Sequence, residues 1–540
     1  MAAVAAGGCM SASDTELPDQ EKYHENVEKI VTRKINSNRN GFLKSANKNN
    51  DVVKMGGDYA RLPGVDWSRY DTFPGSFEKC SLLTAALTQL GLYLLMFLGF
   101  LNRLLFTPKV ATERNREGYA PLYNSFEQFF SRYLYRRVRH CFNRPICSAP
   151  GAELVLKERR TRDYNWSFEF TGTERRCINL GSYNYLGFAE PSGPCADAAA
   201  QAARRYGLAL ASPRGELGTC ALHHELEETT ARFLGVEAAL VFGMGFATNS
   251  LGLPGLLGPG TLALSDENNH ASLILGLRLA RATVRVFRHN DLRHLEQLAR
   301  HAVAERRWKK IVIVVEGVYS MEGSIVPLQG VIALKKQLGL LVYLDEAHSV
   351  GAMGAHARGV TDHCGVNPAD VDVLMGTFTK SFGAAGGYIA GSAKLIKWLR
   401  AHGHAHSYAH AISPPVCMQI LAAMRALRTP EGLRRVRTLR DNTHYFRNRL
   451  REMGVVTYGH ADSPVVPMLV YTFSNMAAVV ERLTARGLAT VGVGFPATPL
   501  YKTRIRFCLS AAHTREQLEH CLNAIEEVVD ELGLRYSRTG

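Results

Sequence analysis

Short runs of apolar residues alternate with amphipathic segments from about residue 178 onward. The runs carry mainly aliphatic and β-branched side chains, which is typical of buried strands. Between them lie segments with a helical period, such as Leu292–Ala304 and Pro327–Leu338. This alternation predicts βαβ units around a mostly parallel sheet with helices on both faces. The predicted buried strands are Ala238–Phe242, Leu262–Leu264, Val284–Phe287, Ile311–Val315, Leu340–Leu344 and Val371–Met375.

The pattern changes after a pair of prolines at 414 and 415. Two long helical segments are followed there by shorter strands, and the chain closes with an amphipathic helix, Thr514–Leu532. We therefore expect two domains of different class. Residues 178–412 form a large α/β domain, and residues 413–540 form a small α+β domain.

The amino-terminal part differs in composition. Residues 1–75 are rich in Asn, Lys, Gly and Asp without a sustained apolar period, so we expect them to be mostly disordered. Residues 82–101 contain no charge and are long enough to cross a bilayer as a helix. We predict a transmembrane helix over residues 80–106, with a buried core helix or a re-entrant segment as alternatives. Basic residues are denser after it than before it, which places its carboxyl-terminal side in the cytosol.

Residues 107–177 are predicted to be an interfacial or linker segment. Within it, Phe126–Arg139 has aromatic residues at helical spacing and arginines crowded at its end. This pattern predicts a helix that lies on an anionic membrane face. The alternative is a helix packed on the main domain with a solvated basic edge.

Composition narrows the choice of partners. The 540 residues carry a formal net charge of +15 and a pI near 9.3, which favours an anionic partner. No nucleic-acid motif accompanies the charge, and the aromatic residues are not interleaved with basic ones, so we expect no nucleic-acid partner. The eleven cysteines are scattered without a CxxC pair. This argues against a zinc site and a disulfide framework, and for a reducing compartment.

The candidate chemistry is concentrated at the ends of two predicted strands. The apolar run before Gly376 ends there, and Thr377 and Lys380 follow before a glycine-rich return. Desolvation between buried strands depresses the pKa of a lysine and suits it to Schiff-base chemistry. The preceding strand ends in Asp345, followed by His348. A lysine that carries an aldehyde, together with an aspartate that pairs with a protonated ring nitrogen, is the minimum needed to hold pyridoxal phosphate.

Three further motifs follow predicted strands. Residues 243–249 form a glycine-bearing turn that opens a helix, which presents free backbone N–H groups to a phosphate. Residues 265–272 include His270, whose flat ring could lie on a pyridine. Residues 316–323 hold small and hydroxyl side chains suited to lining a pocket. Because open α/β sheets bind ligands at the carboxyl ends of their strands, we expect all these motifs to meet at one edge.

Long strings around these motifs identify a family. They are DYNWSF (163–168), GSYNYLGF (181–188), FGMGFATNS (242–250), EGVYSMEGSIV (316–326), LDEAHSVGA (344–352), GTFTKSFGAAGGYI (376–389), VGFPATP (493–499) and RFCLSAAHT (506–514). From about residue 120 to its end, the chain resembles the α-oxoamine synthase family of fold-type I pyridoxal-phosphate enzymes. Within that family it is most similar to the catalytic long-chain-base subunits 2 and 3 of eukaryotic serine palmitoyltransferases.

The resemblance implies roles for the residues around the cofactor ring. Lys380 would form the internal aldimine and later move protons at the substrate α-carbon. Asp345 would pair with the ring nitrogen and His348 with the phenolic oxygen. His270 would stack on the ring.

It also implies roles for the residues around the cofactor phosphate and the substrate. Gly245, Phe246 and Thr377 would hold the phosphate. Ser320 would line the cofactor pocket, and Arg506 would bind the amino-acid carboxylate, a task suited to its planar fork. No metal ligand is implied.

As a whole, the resemblance implies condensation of L-serine with a long-chain fatty acyl-CoA such as palmitoyl-CoA. The products are 3-ketosphinganine, CoA and CO₂, the first step of sphingolipid biosynthesis. The implied setting is the endoplasmic reticulum membrane, with the catalytic domain in the cytosol. The implied partners are serine palmitoyltransferase subunit 1 in a heterodimer, small activating subunits and regulatory membrane proteins. The alternatives are a non-catalytic scaffold paralogue or an α-oxoamine synthase that uses another amino acid.

Two segments depart from the family pattern. Within residues 208–222, Pro213 stands where the family has a threonine. In residues 408–415, His410 and Ala411 replace a Thr/Ser pair that reaches the partner's phosphate in homodimeric relatives. The second departure predicts an obligate heterodimer with a subunit 1 that lacks the lysine.

Overall fold

The computed structural model describes Glu78, Leu82–Phe106, Gly118 and residues 129–538 apart from Leu500. The predicted disordered tail, residues 1–75, lies outside the described residues, as do residues 126–128. In chain order the helices are α1 (Leu82–Phe106), α2 (Pro194–Tyr206), α3 (Ala221–Leu234), α4 (Gly245–Leu256), α5 (Ala271–Leu279), α6 (Leu292–Ala304), α7 (Leu328–Leu338), α8 (Val360–His363), α9 (Ala393–His402), α10 (His404–Tyr408), α11 (Pro414–Leu427), α12 (Pro430–Glu452), α13 (Phe473–Ala485) and α14 (Arg515–Leu532). The strands are β1 (Glu153–Arg160), β2 (Glu169–Asn179), β3 (Ala238–Phe242), β4 (Thr261–Asp266), β5 (Thr283–Phe287), β6 (Lys310–Glu316), β7 (Leu341–Asp345), β8 (Val373–Thr377), β9 (Gly387–Gly391), β10 (Val465–Tyr471), β11 (Leu488–Ala489), β12 (Val491–Val493) and β13 (Thr503–Cys508).

Helix α1 is long and apolar enough to cross a membrane, with a mean hydropathy of 1.8 over Leu82–Asn102. The described chain leaves nearly all of it uncovered, since Leu82 and Leu104 are 89% and 71% exposed. A helix buried in the protein core would lose most of that exposure. The buried-core alternative therefore fails for the described residues, and a spanning or re-entrant helix fits.

The segment after α1 packs on the carboxyl-terminal part of the protein. It consists of a π-helical turn, Phe130–Tyr135, continued by short helical turns to Cys141. Phe130 is buried and lies edge-on to the rings of Phe473 and Phe495, at centroid distances of 5.7 and 4.8 Å. Over its described residues, this segment therefore packs on the protein, as the alternative expected. That it also lies on a membrane face stays a prediction.

Strands β1 and β2 form an antiparallel pair inside the predicted linker, residues 107–177. Strand β11 extends the pair on the other side of β2, in parallel. The linker prediction is wrong here for a physical reason. Most side chains of β2 are exposed, so the strand lacks the apolar run that marks a buried strand.

The central element is a seven-stranded sheet in the order β3-β9-β8-β7-β6-β4-β5. Six strands are parallel, and β9 runs antiparallel between β3 and β8. This confirms the predicted, mostly parallel sheet. Strand β5 was expected to be buried, but it lies at the sheet's edge, where Val286 is 53% exposed.

Apolar side chains cover both faces of this sheet. Successive residues of a strand point to opposite faces, so Leu240 and Phe242 join one cluster while Ala239 and Val241 join the other. Both faces are therefore inaccessible to a ligand. A ligand site is therefore expected in the loops at the ends of the strands of this sheet.

A second, antiparallel sheet contains β10, β13 and β12 in that order. Helix α14 closes this part of the chain and begins with reciprocal hydrogen bonds between Thr514 and Gln517. The predicted domain boundary at residue 413 differs from the structure, because α11 packs on α2 and α3 of the large domain. The first residues of the small domain therefore follow α11.

Candidate active site

Loops that follow β3, β4, β6, β7 and β8 meet at the carboxyl edge of the large sheet. Asn249, after β3, bonds Asp345 at the end of β7. The backbone N–H of His270, after β4, donates to a carboxylate oxygen of Glu316 at the end of β6. Thr377 ends β8 and lies against Gly245. The structure thus brings the five predicted motifs together.

Asp345 is held at both carboxylate oxygens. The backbone N–H of Ala347 donates to Oδ1 at 2.9 Å, and the amide of Asn249 donates to Oδ2 at 2.7 Å. The hydroxyl of Tyr343 donates to Oδ1 of Asn249 at 2.8 Å, which fixes the orientation of that amide. Since each carboxylate oxygen can accept two hydrogen bonds, each oxygen of Asp345 keeps capacity for one further N–H donor.

His270 belongs to the same hydrogen-bonded chain. The second N–H of the Asn249 amide donates to Oγ of Ser272 at 3.0 Å, and this hydroxyl lies 2.7 Å from Nδ1 of His270. The backbone N–H of Ser272 also donates to Nδ1, so the ring accepts there and carries its proton on Nε2. Burial lowers the pKa of His270, which favours the neutral ring.

His348 is buried and neutral. Its Nδ1 lies 2.8 Å from the hydroxyl of Tyr185, and its ring meets the edge of Tyr183 at 4.9 Å. Burial lowers the pKa of His348 well below its usual value, and the charges of Lys380 and Arg506 lower it further. With Tyr185 as donor to Nδ1, Nε2 carries the proton and is free to donate to a ligand.

Lys380 follows β8, and its Nζ lies 3.4 Å from Oγ1 of Thr377. The ammonium stands 5.7 Å from the ring centroid of Tyr183. Desolvation lowers the pKa of Lys380, while the carboxylates of Asp345 and Glu316 oppose that shift. A lysine in this setting loses its proton more readily than one in water, as nucleophilic and base chemistry require.

The amino terminus of α4 approaches β8 very closely. A Cβ at Gly245 would stand 3.2 Å from Cγ2 of Thr377 and 3.4 Å from the carbonyl oxygen of Gly386. Only glycine leaves space here, and the first N–H groups of a helix have no intrahelical acceptor. Phe246 follows, with its ring 5.9 Å from that of His270. The helix end and Thr377 together can hold an anion.

Arg506 enters from the second sheet, on β13, and is buried. Its guanidinium lies 4.7 Å from the ring centroid of Tyr183, and Nη1 lies 3.5 Å from the sulfur of Met321. Within the described chain, its buried Nε has no hydrogen-bond partner. A buried guanidinium with unused donors is suited to a carboxylate ligand.

Ser320 is buried in the loop after β6, and no hydrogen bond among the described residues ties it to the other predicted site residues. Four residues that hold the site were not predicted as site residues: Asn249, Ser272, Tyr185 and Glu316. Asn249, Tyr185 and Glu316 lie inside the strings that identify the family. Their contacts join residues far apart in sequence, so only a resemblance could have signalled them.

The two departing segments contact one another beside this edge. Pro213 and His410 form an isolated antiparallel bridge, and the backbone N–H of Gly215 donates to the carbonyl of His406 at 2.9 Å. Arg214 extends inward and bonds Glu227, which also pairs with Arg400. We call residues 208–219 and 404–413 the paired loops.

Known proteins resemble this chain over most of its length. The aminotransferase class I and II family matches residues 175–525. Human serine palmitoyltransferase 3 is 49% identical over 480 residues, 86% of this chain and 87% of the human protein. Serine palmitoyltransferase 2 of Caenorhabditis elegans is 46% identical over 469 residues, 84% of either chain. A solved structure of serine palmitoyltransferase with pyridoxal phosphate as an internal aldimine has a TM-score of 0.67 and 26% identity, over 76% of this chain and 100% of that one.

Proposed function

Because the chain belongs to the aminotransferase class I and II family and, within it, to the serine palmitoyltransferase subunits 2 and 3, we propose that it is the catalytic subunit of a serine palmitoyltransferase. It condenses L-serine with a long-chain fatty acyl-CoA and releases 3-ketosphinganine, CoA and CO₂. Its cofactor is pyridoxal phosphate. The residues at the carboxyl edge are assigned to this chemistry one by one below.

The donor set fits pyridoxal phosphate. The close approach of Gly245 to Thr377 places the amino terminus of α4, which attracts anions, directly beside Thr377. Asp345 offers a fixed carboxylate to a ring N–H, and Nε2 of His348 offers a proton to the phenolic oxygen. Bound there, the cofactor supplies an electron sink for the pair left at the substrate α-carbon.

Asp345 keeps a proton on the ring nitrogen. Its charge is held in place by Asn249 and by the backbone of Ala347, so no reorganisation is needed when electron density reaches the ring. His270 carries its proton on Nε2, because Ser272 occupies Nδ1. We propose that its flat ring covers one face of the cofactor and keeps water away from it.

Lys380 is the base that removes the α-proton of serine. The depressed pKa of its amine makes the neutral form accessible, and the charge of Asp345 stabilises the ammonium after proton transfer. Arg506 binds the serine carboxylate through its fork, which orients the α-hydrogen toward Nζ. Ser320 lines the pocket on the side of β6.

One observation carries this proposal. Strands β7 and β8 are neighbours in which Asp345 pairs with Met375, so Lys380 and Asp345 leave the same edge of the sheet side by side. A non-catalytic scaffold needs neither a desolvated lysine nor a fixed carboxylate beside it. The same pair would serve a synthase that uses another amino acid, so substrate must be tested directly.

The test is a product assay on the purified chain together with a subunit 1 partner. Serine, glycine and alanine are offered separately with acyl-CoAs of several chain lengths, and the ketone is identified by mass. We expect the product of serine to dominate. Dominance of another amino acid would assign the chain to a different synthase. Absence of any product, with no near-visible cofactor absorbance, would assign it to the scaffold class.

Membership of this family implies a multi-subunit complex, and we propose subunit 1 as the partner in a heterodimer. The paired loops expose large apolar side chains in the isolated chain: Leu208, Leu217 and Tyr408 are 74%, 86% and 80% exposed. Clusters of exposed apolar residues mark surfaces that another chain covers. They lie beside the glycine turn after β3, since a Cβ at Gly243 would stand 3.2 Å from the carbonyl oxygen of His410. Small activating subunits and regulatory membrane proteins are further proposed partners.

We also propose that α1 anchors the chain in the endoplasmic reticulum membrane with the catalytic domain in the cytosol. Its uncovered apolar surface supports an anchor. Gly99 lets α1 pack closely on the next segment, since a Cβ there would stand 3.0 Å from the ring of Phe129. Deletion of residues 1–110 should release the chain from membranes in carbonate extraction. Retention of the deleted chain would mean that another segment or a partner anchors it.

A further inference from the structure

Three histidines and one aspartate meet where α8 faces the loop between α12 and β10. His363 is the last residue of α8, and His444 lies in α12. His460 and Asp462 belong to the loop. One donor atom from each of His363, His460 and Asp462 lies within 4.8 Å of the other two. The proposed reaction uses none of these side chains.

Asp462 is the centre of the group. Its Oδ2 lies 3.9 Å from Nε2 of His363 and 3.8 Å from Nδ1 of His460. Its Oδ1 lies 2.7 Å from Nε2 of His444. Ligand atoms at about 2.0–2.1 Å from a tetrahedral Zn²⁺ stand about 3.4 Å apart. Small side-chain movements therefore bring the three donors to the spacing that zinc requires.

We propose that His363, His460 and Asp462 bind a Zn²⁺ ion, with His444 holding the second oxygen of Asp462. Imidazole nitrogens with one carboxylate are a zinc donor set, whereas Mg²⁺ and Ca²⁺ prefer oxygen ligands throughout. A hydrogen-bonded partner behind a metal-binding carboxylate orients it and strengthens the site. No sequence motif indicates this site, because His363 lies on α8, far along the chain from the loop that holds His460 and Asp462.

The loop that supplies two of the ligands is fixed by its backbone. The N–H of His460 donates to the carbonyl of Gly323 at 2.9 Å, and the N–H of Ser463 donates to the carbonyl of His460 at 3.1 Å. The N–H of Asp462 donates to Nδ1 of His460 at 3.1 Å. Zinc bound through Nδ1 replaces this last bond, which is a cost that the metal bond must exceed.

The surroundings carry charges of both signs. His363 and Asp462 line a cavity of about 400 Å³ that is also lined by Arg437, Arg440 and Asp362. Its two carboxylates offset its two guanidinium groups, and the buried Arg447, which acts on His460 and Asp462, adds a positive charge that the metal bonds must overcome. The cavity leaves room for a water molecule as the remaining zinc ligand.

Zinc at this position would join two parts of the protein. His363 belongs to the helix that follows the β7 loop, whereas the loop with His460 leads into β10, which pairs with the strand that carries Arg506. The hydrogen bond from His460 to Gly323 also connects this loop to the loop that contains Ser320. We therefore expect zinc to raise the thermal midpoint of the protein.

The experiment uses the full chain with its partner subunit and cofactor, carrying no polyhistidine tag. The complex is stripped with a chelator and titrated with ZnCl₂ against a chromophoric zinc chelator. Zinc per chain is then measured by mass spectrometry after desalting. The variants are His363→Gln and Asp462→Asn. The control is His140→Gln, which alters the other cluster with metal-ligand spacing, His140, Cys141 and Glu481.

We expect one zinc per chain in the unmodified protein and in the His140→Gln control, with affinity at least tenfold weaker in both test variants. X-ray absorption on the unmodified protein should show nitrogen and oxygen ligands, including two imidazoles, and no sulfur. This measurement needs no variant to fold. Absence of stoichiometric zinc, a sulfur ligand, or loss of zinc in the control alone would overturn the proposal.

Discussion

The carboxyl edge around Lys380 and the paired loops differ in how their side chains are held. At the edge, Asp345, His270 and His348 each have a hydrogen-bond partner within the chain. In the paired loops, large apolar side chains such as Leu217 and Tyr408 face solvent. The difference indicates that the groups proposed to bind the cofactor are fixed within this chain, whereas the paired loops carry apolar surface that the described chain does not cover. The predictions below test each half of that contrast.

Asp345→Asn should have the largest effect on turnover. An amide cannot keep a proton on the ring nitrogen, and acid–base groups contribute roughly 10²- to 10⁴-fold to rate. We expect kcat/KM for serine to fall by about 10³-fold or more. The matched control is Asp372→Asn, because Asp372 pairs with Lys335 at the opposite edge of the sheet. A loss of under tenfold at Asp345, or an equal loss in the control, would contradict the role.

Arg506→Lys should weaken the binding of serine and leave the binding of the acyl donor unchanged. The ammonium keeps the charge but loses the fork, and a hydrogen bond to a charged group contributes about 1.5–3 kcal/mol. We expect roughly a 10- to 100-fold loss in kcat/KM for serine, mainly through KM, with KM for acyl-CoA unchanged. Arg515→Lys, on the exposed face of α14, is the control. Parallel rises in both KM values would argue against a carboxylate contact.

Asn249→Ala tests the hydrogen-bonded chain behind the edge. It removes the donor that joins Asp345 to Ser272 and therefore to His270. Groups that orient a functional ligand typically contribute 10- to 100-fold, and we expect a loss of about tenfold with a changed pH profile. Tyr343→Phe should do the same more weakly, because it only frees the amide to rotate. Asn475→Ala is the control. An unchanged pH profile in both Asn249→Ala and Tyr343→Phe would mean that Asn249 has only a structural role.

Much of the large sheet and of the site at its edge could be predicted from the sequence. Buried strands are recognisable as apolar runs, and the motifs at their carboxyl ends lie at one edge when the strands are parallel. Strands β1 and β2 gave no such signal, because β1 buries only Leu154 and Leu156, and because β2 is mostly exposed and pairs with the distant β11. Strand β5 is exposed because it lies at the edge of the sheet, and the local sequence pattern does not indicate strand order. The hydrogen bonds from Asn249 to Asp345 and Ser272 likewise join segments that are distant in sequence.

Substitutions in the paired loops should have the smallest effect on the activity of the heterodimer. His410→Thr with Ala411→Ser introduces the two hydroxyls of the family pattern, but in the proposed heterodimer with a lysine-less subunit 1 they would meet no cofactor phosphate. We expect less than about a twofold change in the heterodimer, within the range of neutral surface substitutions. The purified chain without subunit 1 should be nearly inactive. Full activity from a homodimer of this chain alone would contradict the second half of the contrast.

The central claim is that Lys380 is the residue that binds the cofactor covalently. Borohydride reduction of the purified complex, followed by proteolysis and mass spectrometry, locates that bond directly. We expect the mass of the reduced cofactor on Lys380 and on no other lysine, and neither label, near-visible absorbance nor turnover in Lys380→Ala. Label on another lysine, or a Lys380→Ala variant that remains yellow and active, would contradict the account.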